Sequence, residues 1–247
     1  MIADRLGLLH DVGDAVAAAM RSVTDWGPSG DREGQYVLDV AADQAAIAVL
    51  QRAGVGVLSE ESGFDPGSNG EIVVIDPIDG STNASRGIGW FATSLCLVDR
   101  DGPAAAVVVH QSTGVRYSAV RGAGAWCGER RLAHSGCAEL SEAIVVVSAV
   151  PPTDVGWAQF RAWGACALDL CAVADGVVDA YVDFGHEQHG VWDYLGGWLI
   201  CREAGIDVVD AFDRPMTHLD HAARRTPVAA ATPALTAALL ATRRRSA

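Results

Sequence analysis

Glu71-Ile72-Val73-Val74-Ile75-Asp76-Pro77-Ile78-Asp79-Gly80-Ser81-Thr82-Asn83 is an apolar, β-prone run that ends in two carboxylates, a glycine and two hydroxyls. Consecutive Ile and Val suit a buried strand. Pro77 withholds a backbone donor and stiffens the chain, and Gly80 opens conformations closed to other residues. The strand therefore stops here and turns. A helix opening at Gly-Ser-Thr offers backbone N–H groups to an anion. Asp76 and Asp79 stand three residues apart on one turn, where two carboxylates repel unless a cation lies between them. Oxygen ligands of this kind suit Mg²⁺. The plain alternative is an Asx-type turn and a helix capped at Ser81.

Two more acidic elements lie at expected element ends. Ser59-Glu60-Glu61-Ser62 follows a short strand expected at 55–58. Val191-Trp192-Asp193 begins a helix expected at 193–203, where Leu195, Leu199 and Ile200 have helical spacing. Alone, Glu60 and Glu61 read as solvated loop charges, and Asp193 as a carboxylate favoured by the helix dipole.

The surrounding pattern sets the organisation. Leu6, Leu9, Val12, Val16 and Met20 predict a helix over 2–23; a polar loop at 25–35 leads to a second helix over 40–52, stopped by Gly54. A Gly/Pro/Ser/Asn loop is expected at 64–70. Strands expected at 71–76, 92–98, 104–110, 115–121 and near 125–126, joined by short turns, suggest an antiparallel meander. Another β-prone run covers 143–147. Past Pro151-Pro152, helices at 165–174, 193–203 and 234–244 alternate with strands at 180–183, 207–209 and 228–231. The fold class is α/β. Residues 1–150 form an N-terminal α+β half with the antiparallel sheet and most candidate ligands; residues 151–247 form a C-terminal α/β half with Asp193. The two make one compact unit, and Arg243-Arg244-Arg245 reads as a solvated tail.

The chain has 247 residues, half of them hydrophobic, enough for a sizeable core. A net charge of −13 disfavours nucleic acid and anionic membranes, which need basic surfaces. An acidic protein that handles phosphate esters needs cations in its site. The six cysteines form no C-x-x-C pair and read as reduced thiols of a cytoplasmic protein. The N-terminal residues lack an uninterrupted signal-peptide core, and no apolar run reaches the roughly 18–20 residues that span a bilayer.

Asp76–Asn83 matches the D-P-[IVL]-D-G-[ST]-[TS]-N signature of the inositol monophosphatase superfamily. Glu60-Glu61-Ser62 resembles its G-E-E-S element, with Ser59 in place of Gly. Val40-Ala41-Ala42-Asp43 resembles its T-x-x-D element, with Val40 in place of Thr. Trp192-Asp193-Tyr194-Leu195-Gly196-Gly197 resembles W-D-x-A-A-G, and the stretch from Arg161 to Asp183 resembles R-x-x-G-S-A-A-L-D-L and the strand after it. The resemblance runs in order over roughly residues 36–210. It implies a layered α/β/α/β/α sandwich, usually a homodimer, and a lithium-sensitive phosphatase with two or three Mg²⁺ per site. Glu60, Asp76 and the Ile78 carbonyl would hold one ion; Asp76, Asp79 and Asp193 would hold another. Asp43 would hydrogen-bond Ser81, which with Glu60 would position the attacking water. The amides of Gly80, Ser81 and Thr82 would hold the phosphate. Glu60, Asp76, Asp79 and Asp193 carry four negative charges, which two Mg²⁺ ions cancel.

The resemblance places substrate contacts at Gly164, Ala165, Cys166 and Asp183, the last replacing a more usual Glu. Trp90, Trp163 and Trp192 read as core residues, with pocket lining as the alternative. His186 and His189, on a loop longer than usual, read as solvent-exposed, with a substrate contact as the alternative. The substrate expected is a small phosphorylated metabolite, first inositol monophosphate and next histidinol phosphate. Fructose 1,6-bisphosphate and 3′-phosphoadenosine 5′-phosphate rank lower, because no basic cluster for a second phosphate is visible near the motifs. A catalytically silent scaffold is the non-enzymatic alternative; it would predict a lost ligand, and all four are present.

Overall fold

The computed structural model describes residues 2–30, 32, 34–151 and 155–246. Chain order begins α1 (Ile2–Ser22), α2 (Val37–Arg52), β1 (Gly56–Ser59), β2 (Gly63–Asp65), β3 (Ile72–Asp79), α3 (Ser81–Arg86), β4 (Ala92–Asp99), β5 (Gly102–His110), β6 (Val115–Val120), β7 (Gly124–Cys127) and β8 (Arg130–Arg131). It continues β9 (Ile144–Ser148), β10 (Gln159–Arg161), α4 (Cys166–Ala174), β11 (Ala180–Asp183), α5 (Val191–Glu203), β12 (Val208–Asp210), β13 (Pro227–Ala230) and α6 (Pro233–Ser246). The first sheet has eight strands in the order β2-β1-β3-β4-β5-β6-β7-β8. Only β1 and β3 are parallel neighbours in it; from β3 onward it is the expected antiparallel meander. The second has five strands in the order β10-β9-β11-β13-β12, with β9 parallel to both β10 and β11.

Period-two alternation builds the layers. On β3, Val73 and Ile75 pack with Leu9, Val12 and Val16 of α1 and with Leu38, Ala42 and Ala46 of α2. Val74 faces the other way, into a middle layer with Leu168 and Leu170 of α4 and Leu195 and Leu199 of α5. Tyr181 of β11 and Ala229 of β13 close that layer from the second sheet. The far faces of those strands, Ala180, Val182, Val228 and Ala230, receive Leu235 and Leu239 of α6. The stack is helix, sheet, helix, sheet, helix. α5 is buried from Tyr194 to Cys201, which is why that stretch is apolar on nearly every face.

Three short strands escaped the sequence reading: β2, β8 and β10, made of exposed or half-exposed residues without an apolar pattern and paired through backbone. α2 starts at Val37, earlier than expected, because the Asp39 carboxylate accepts the Tyr36 N–H at 2.8 Å and caps it. Of the expected solvated tail, Arg243 is only 7 % exposed; Arg244 is exposed, and the side chain of Arg245 lies outside the described residues, as do Asp31 and Glu33 of the expected loop and Pro152 of the expected boundary.

Glycines set how closely α5 packs. A Cβ at Gly196 would stand 2.7 Å from Ser94 Oγ, and one at Gly197 would stand 2.7 Å from Leu170 Cβ. Gly197→Ala should therefore destabilise the fold by about 1–3 kcal/mol, as overpacking does. Urea denaturation checks this.

Candidate active site and metal centre

The ladder between β3 and β4 pairs Asp76 with Ser94 and Asp79 with Ala92, so Pro77 and Ile78 together oppose Thr93. That is a β-bulge, placed where Pro77 has no N–H to give. Thr93 Oγ1 donates to the Pro77 carbonyl at 2.8 Å, and Gln111 Nε2 donates to Thr93 Oγ1 at 2.8 Å, which holds the bulge. Gly80 follows with φ +86°; a Cβ there would lie 3.1 Å from the carbonyls of both Gly164 and Trp90. Neither the angle nor the space suits another residue. The Asn83 amide nitrogen donates to Trp90 O at 2.8 Å and Trp163 O at 2.7 Å, joining the motif to the segment before α4.

Parity carries the carboxylates inward. Asp76 shares the face of Val74, Glu60 continues the face of Leu58, and both meet Asp193 at the start of α5 in the middle layer. One oxygen from each of Glu60, Asp76 and Asp193 lies within 4.8 Å of the others. Asp76 is 2 % exposed, and its Oδ1 has no hydrogen-bond partner among the described residues. Burial, then the charges of Glu60, Asp79 and Asp193, hold its carboxyl well above the usual range. Burial first and Asp193 next push Glu60 up to about 8. An orphaned buried carboxylate oxygen facing two more carboxylates is a donor set for a hard cation, and it fits Mg²⁺.

Asp79 is held differently. Its two oxygens accept the N–H groups of Cys166 (3.1 Å) and Ala167 (2.6 Å) at the start of α4, a favourable place for a carboxylate. Burial and the charge of Asp193 still raise it well above the usual range. It lines the same cavity, of about 270 Å³, as Glu60, Asp76, Ile78, Gly80, Ser81 and Asp193. Gly164, Ala165 and Cys166 line that cavity too. Thr82 lies beside it, its hydroxyl 3.2 Å from that of Tyr36.

Several expectations change. Asp43 does not bond Ser81 among the described residues; it accepts from Ser59 Oγ at 2.5 Å, because Ser59 shares the face of Val57, toward α2. Asp183 is fully buried, one oxygen accepting the Gly185 N–H at 2.6 Å, and it does not line the cavity. Ser148, Asp169, Tyr181, Gln188 and His189 line that wall instead. His186 is exposed, but His189 is not: its Nδ1–H donates to Asp193 Oδ2 at 3.2 Å, and its Nε2 lies 3.1 Å from the Tyr181 hydroxyl. Burial lowers its pKa, yet the hydrogen bond to Asp193 and the charges of Asp193, Asp183 and Asp169 outweigh burial and raise it. Trp90 packs on Trp163 with ring centres 4.5 Å apart and donates to Asp169 at 2.8 Å. Trp192 is 4 % exposed, beneath His221 and Arg224. Two arginines do approach the motifs. Arg32 and Arg224 line an adjoining cavity of about 290 Å³ that shares Glu60 and Ser81. Arg32 is already paired with Glu61, and Arg224 donates to the His221 carbonyl at 2.8 Å.

The His189 loop has a distant support. Arg243 of α6 donates from Nε to Asp183 O at 2.8 Å and from Nη2 to Gly185 O at 2.7 Å. Its guanidinium lies 4.8 Å above the Phe212 ring. No local signal marks it, since the arginine stands some 60 residues along the chain from the loop it holds.

The family model described as the inositol monophosphatase family matches residues 11–247. The chain belongs to the inositol monophosphatase family. It is 32 % identical over 190 residues to a Nus factor SuhB of Pasteurella multocida, covering 70 % of each chain. It is 30 % identical over 218 residues to a fructose-1,6-bisphosphatase/inositol-1-monophosphatase of Archaeoglobus fulgidus, covering 84 % of each. A solved Pyrococcus horikoshii protein, described as having similarities for inositol-1 monophosphatase, superposes with a TM-score of 0.83 at 25 % identity, over 99 % of this chain and 97 % of that one. Membership makes the chain a phosphatase of a metal-dependent family, and the three-carboxylate cluster could hold such a metal.

Two outcomes follow. Glu60 keeps its proton to about pH 8 in the folded, metal-free protein against an ordinary value of 4.5. Its protonation supports folding fully below about 4.5, and that support is lost as pH rises through about 8. The melting temperature of chelator-treated protein should therefore fall between pH 6 and pH 8.5, less so in Glu60→Gln, and added Mg²⁺ should oppose the fall. Arg243→Ala should loosen the 184–190 loop and raise KM severalfold more than it lowers kcat; steady-state kinetics reads the split.

Proposed function

We propose that the protein is a Mg²⁺-dependent phosphomonoesterase that hydrolyses a small polyol or sugar monophosphate, with inositol monophosphate the leading candidate. The observation that carries this is the buried, orphaned Asp76 oxygen among Glu60 and Asp193, beside the amides that open α3. Two Mg²⁺ ions would match the four negative charges of Glu60, Asp76, Asp79 and Asp193, and the Ile78 carbonyl would be a further ligand. Bound there, they would supply Lewis-acid polarisation at phosphorus and a more acidic attacking water. The chain's own groups do the rest. The amides of Gly80, Ser81 and Thr82 hold the phosphate oxygens. Glu60 takes the proton of the attacking water, and the Ser81 hydroxyl, which lines both cavities, orients that water.

The leaving-group wall supports a single phosphate. Ser148, Tyr181, Gln188 and His189 offer hydrogen bonds to hydroxyls, and no arginine lines this cavity among the described residues. Histidinol phosphate is the second candidate, because Asp169 on the same wall suits a cationic leaving group. The six unpaired thiols support a reducing, cytoplasmic compartment. No helix is long and apolar enough to cross a membrane among the described residues. A homodimer, which the resemblance implies, is part of the same proposal.

Phosphate release from inositol 1-phosphate, histidinol phosphate, fructose 1,6-bisphosphate and 3′-phosphoadenosine 5′-phosphate, with and without Mg²⁺, tests the reading. Inositol 1-phosphate should be cleaved fastest, and only with metal. Asp76→Asn and Asp193→Asn should lower kcat/KM about a thousandfold, as loss of several kcal/mol of transition-state stabilisation requires. Asp76→Asn should leave the metal-free melting temperature nearly unchanged, since the amide replaces a carboxyl that burial already holds toward its neutral form. Activity of either variant near wild type would overturn the assignment.

A further inference from the structure

We infer that Ser59 is a positioning residue for Glu60, and that Asp43 acts on the site through Ser59 rather than through Ser81. The inference deepens the proposed metal-dependent reading and rests on it for the role of Glu60.

The geometry is a buried latch at the end of β1. Ser59 is 0 % exposed and Asp43 5 %. The Ser59 hydroxyl has one proton, and it is donated to Asp43 Oδ1 at 2.5 Å. Ser59 Oγ itself accepts the N–H of Glu61 at 3.1 Å. His221 Nε2 reaches the Ser59 carbonyl at 3.1 Å, and the Glu60 N–H donates to the Ile75 carbonyl at 3.2 Å. Glu60 thus lies between two residues that are both fastened to one hydroxyl, with its own amide fixed to the strand that carries Asp76. Glu61 is fastened again through its carboxylate, which takes Arg32 and Gln35.

Alternation decides what each side chain can do. Val57 and Ser59 face α2, while Leu58 and Glu60 face the middle layer. A hydroxyl at 59 therefore meets Asp43, and a carboxylate at 60 meets Asp193. The family pattern has glycine at this position, and glycine has no group with which to hold Asp43. In this chain Asp43 accepts from Ser59, and its carboxyl also draws on Ser62. The Ser81 side chain makes no hydrogen bond among the described residues. Asp43 is thereby an anchor for the Glu60 segment. Partners that orient ligating carboxylates typically change metal affinity or activity about 10- to 100-fold when removed.

Mn²⁺ binding followed by EPR on the full chain tests this without relying on turnover. Wild type, Ser59→Ala, Ser59→Gly, Ser59→Thr, Asp43→Asn, Ser81→Ala, the Ser59→Ala/Asp43→Asn double variant and the Asp43→Asn/Ser81→Ala double variant are compared, with a thermal melt of each. Ser59→Ala and Asp43→Asn should each weaken Mn²⁺ binding about tenfold. Their double variant should be no worse than either alone, and Ser59→Thr, which keeps the hydroxyl, should recover most of the loss. Ser59→Gly serves if the alanine variant does not fold. Asp43→Asn and Ser81→Ala should multiply. Unchanged affinity in folded Ser59→Ala or Ser59→Gly, or coupling of Asp43 to Ser81 instead of Ser59, would overturn the inference. A wild type that binds Mn²⁺ with the expected coupling yet cleaves no ester refutes the phosphatase reading and leaves the latch standing. A wild type that binds no Mn²⁺ overturns both.

Discussion

The centre of this molecule is arranged around carboxylates that repel one another at the floor of a largely buried cleft. Asp76 is the extreme member: buried, with one oxygen unpartnered, and flanked by Glu60, Asp79 and Asp193. In the absence of a cation such a group is tolerated by holding a proton, and burial is the main reason its pKa and that of Glu60 rise. The fold accepts this local penalty because the surrounding layers are dry and densely packed on both sides of the first sheet. A divalent cation held by this cluster would relieve the same penalty and so stabilise the native state.

Three devices hold the charges in place. The bulge at Pro77 brings Asp76 and Asp79 to one strand end. The start of α4 takes the full carboxylate of Asp79, which frees the other three to converge. The hydroxyl of Ser59 fastens the segment on either side of Glu60. Each uses backbone or a short side chain, so little rotamer freedom is left at the site. The wall formed by Ser148, Asp169, Tyr181, Gln188 and His189 is built otherwise. Gln188 and His189 stand on a loop supported from α6 by Arg243, and through His189 that loop also reaches Asp193.

Much of this was legible in one dimension. The order of elements, the meander and the strand-turn-helix at 76–83 follow from apolar period and from Pro and Gly at defined places. The edge strands β2, β8 and β10 were not, because their residues carry no apolar alternation and pair only by backbone. The burial of Arg243 was hidden for a related reason: three consecutive arginines at a helix end look solvated unless the carbonyls they meet are known. Asp183, expected as a substrate contact, lies off the cavity wall with one oxygen on the Gly185 amide, a contact that no residue pattern announces.

Sequence alone determined the reaction class and pointed to four carboxylates, since D-P-I-D followed by a helix-opening G-S-T is a local pattern with few other uses, and Glu60 and Asp193 gain meaning beside it in an ordered set. It also contained the parity that sends Ser59 and Glu60 to opposite faces of β1. Tertiary structure decided the partners: that the face of Ser59 is occupied by Asp43, that His189 turns inward onto Asp193, and that Arg32 and Arg224 come beside Glu60. The physical reason is range. Backbone period and turn chemistry act within a few residues, whereas the Ser59–Asp43 and His221–Ser59 contacts join residues 16 and 162 positions apart, whose meeting depends on how whole layers pack.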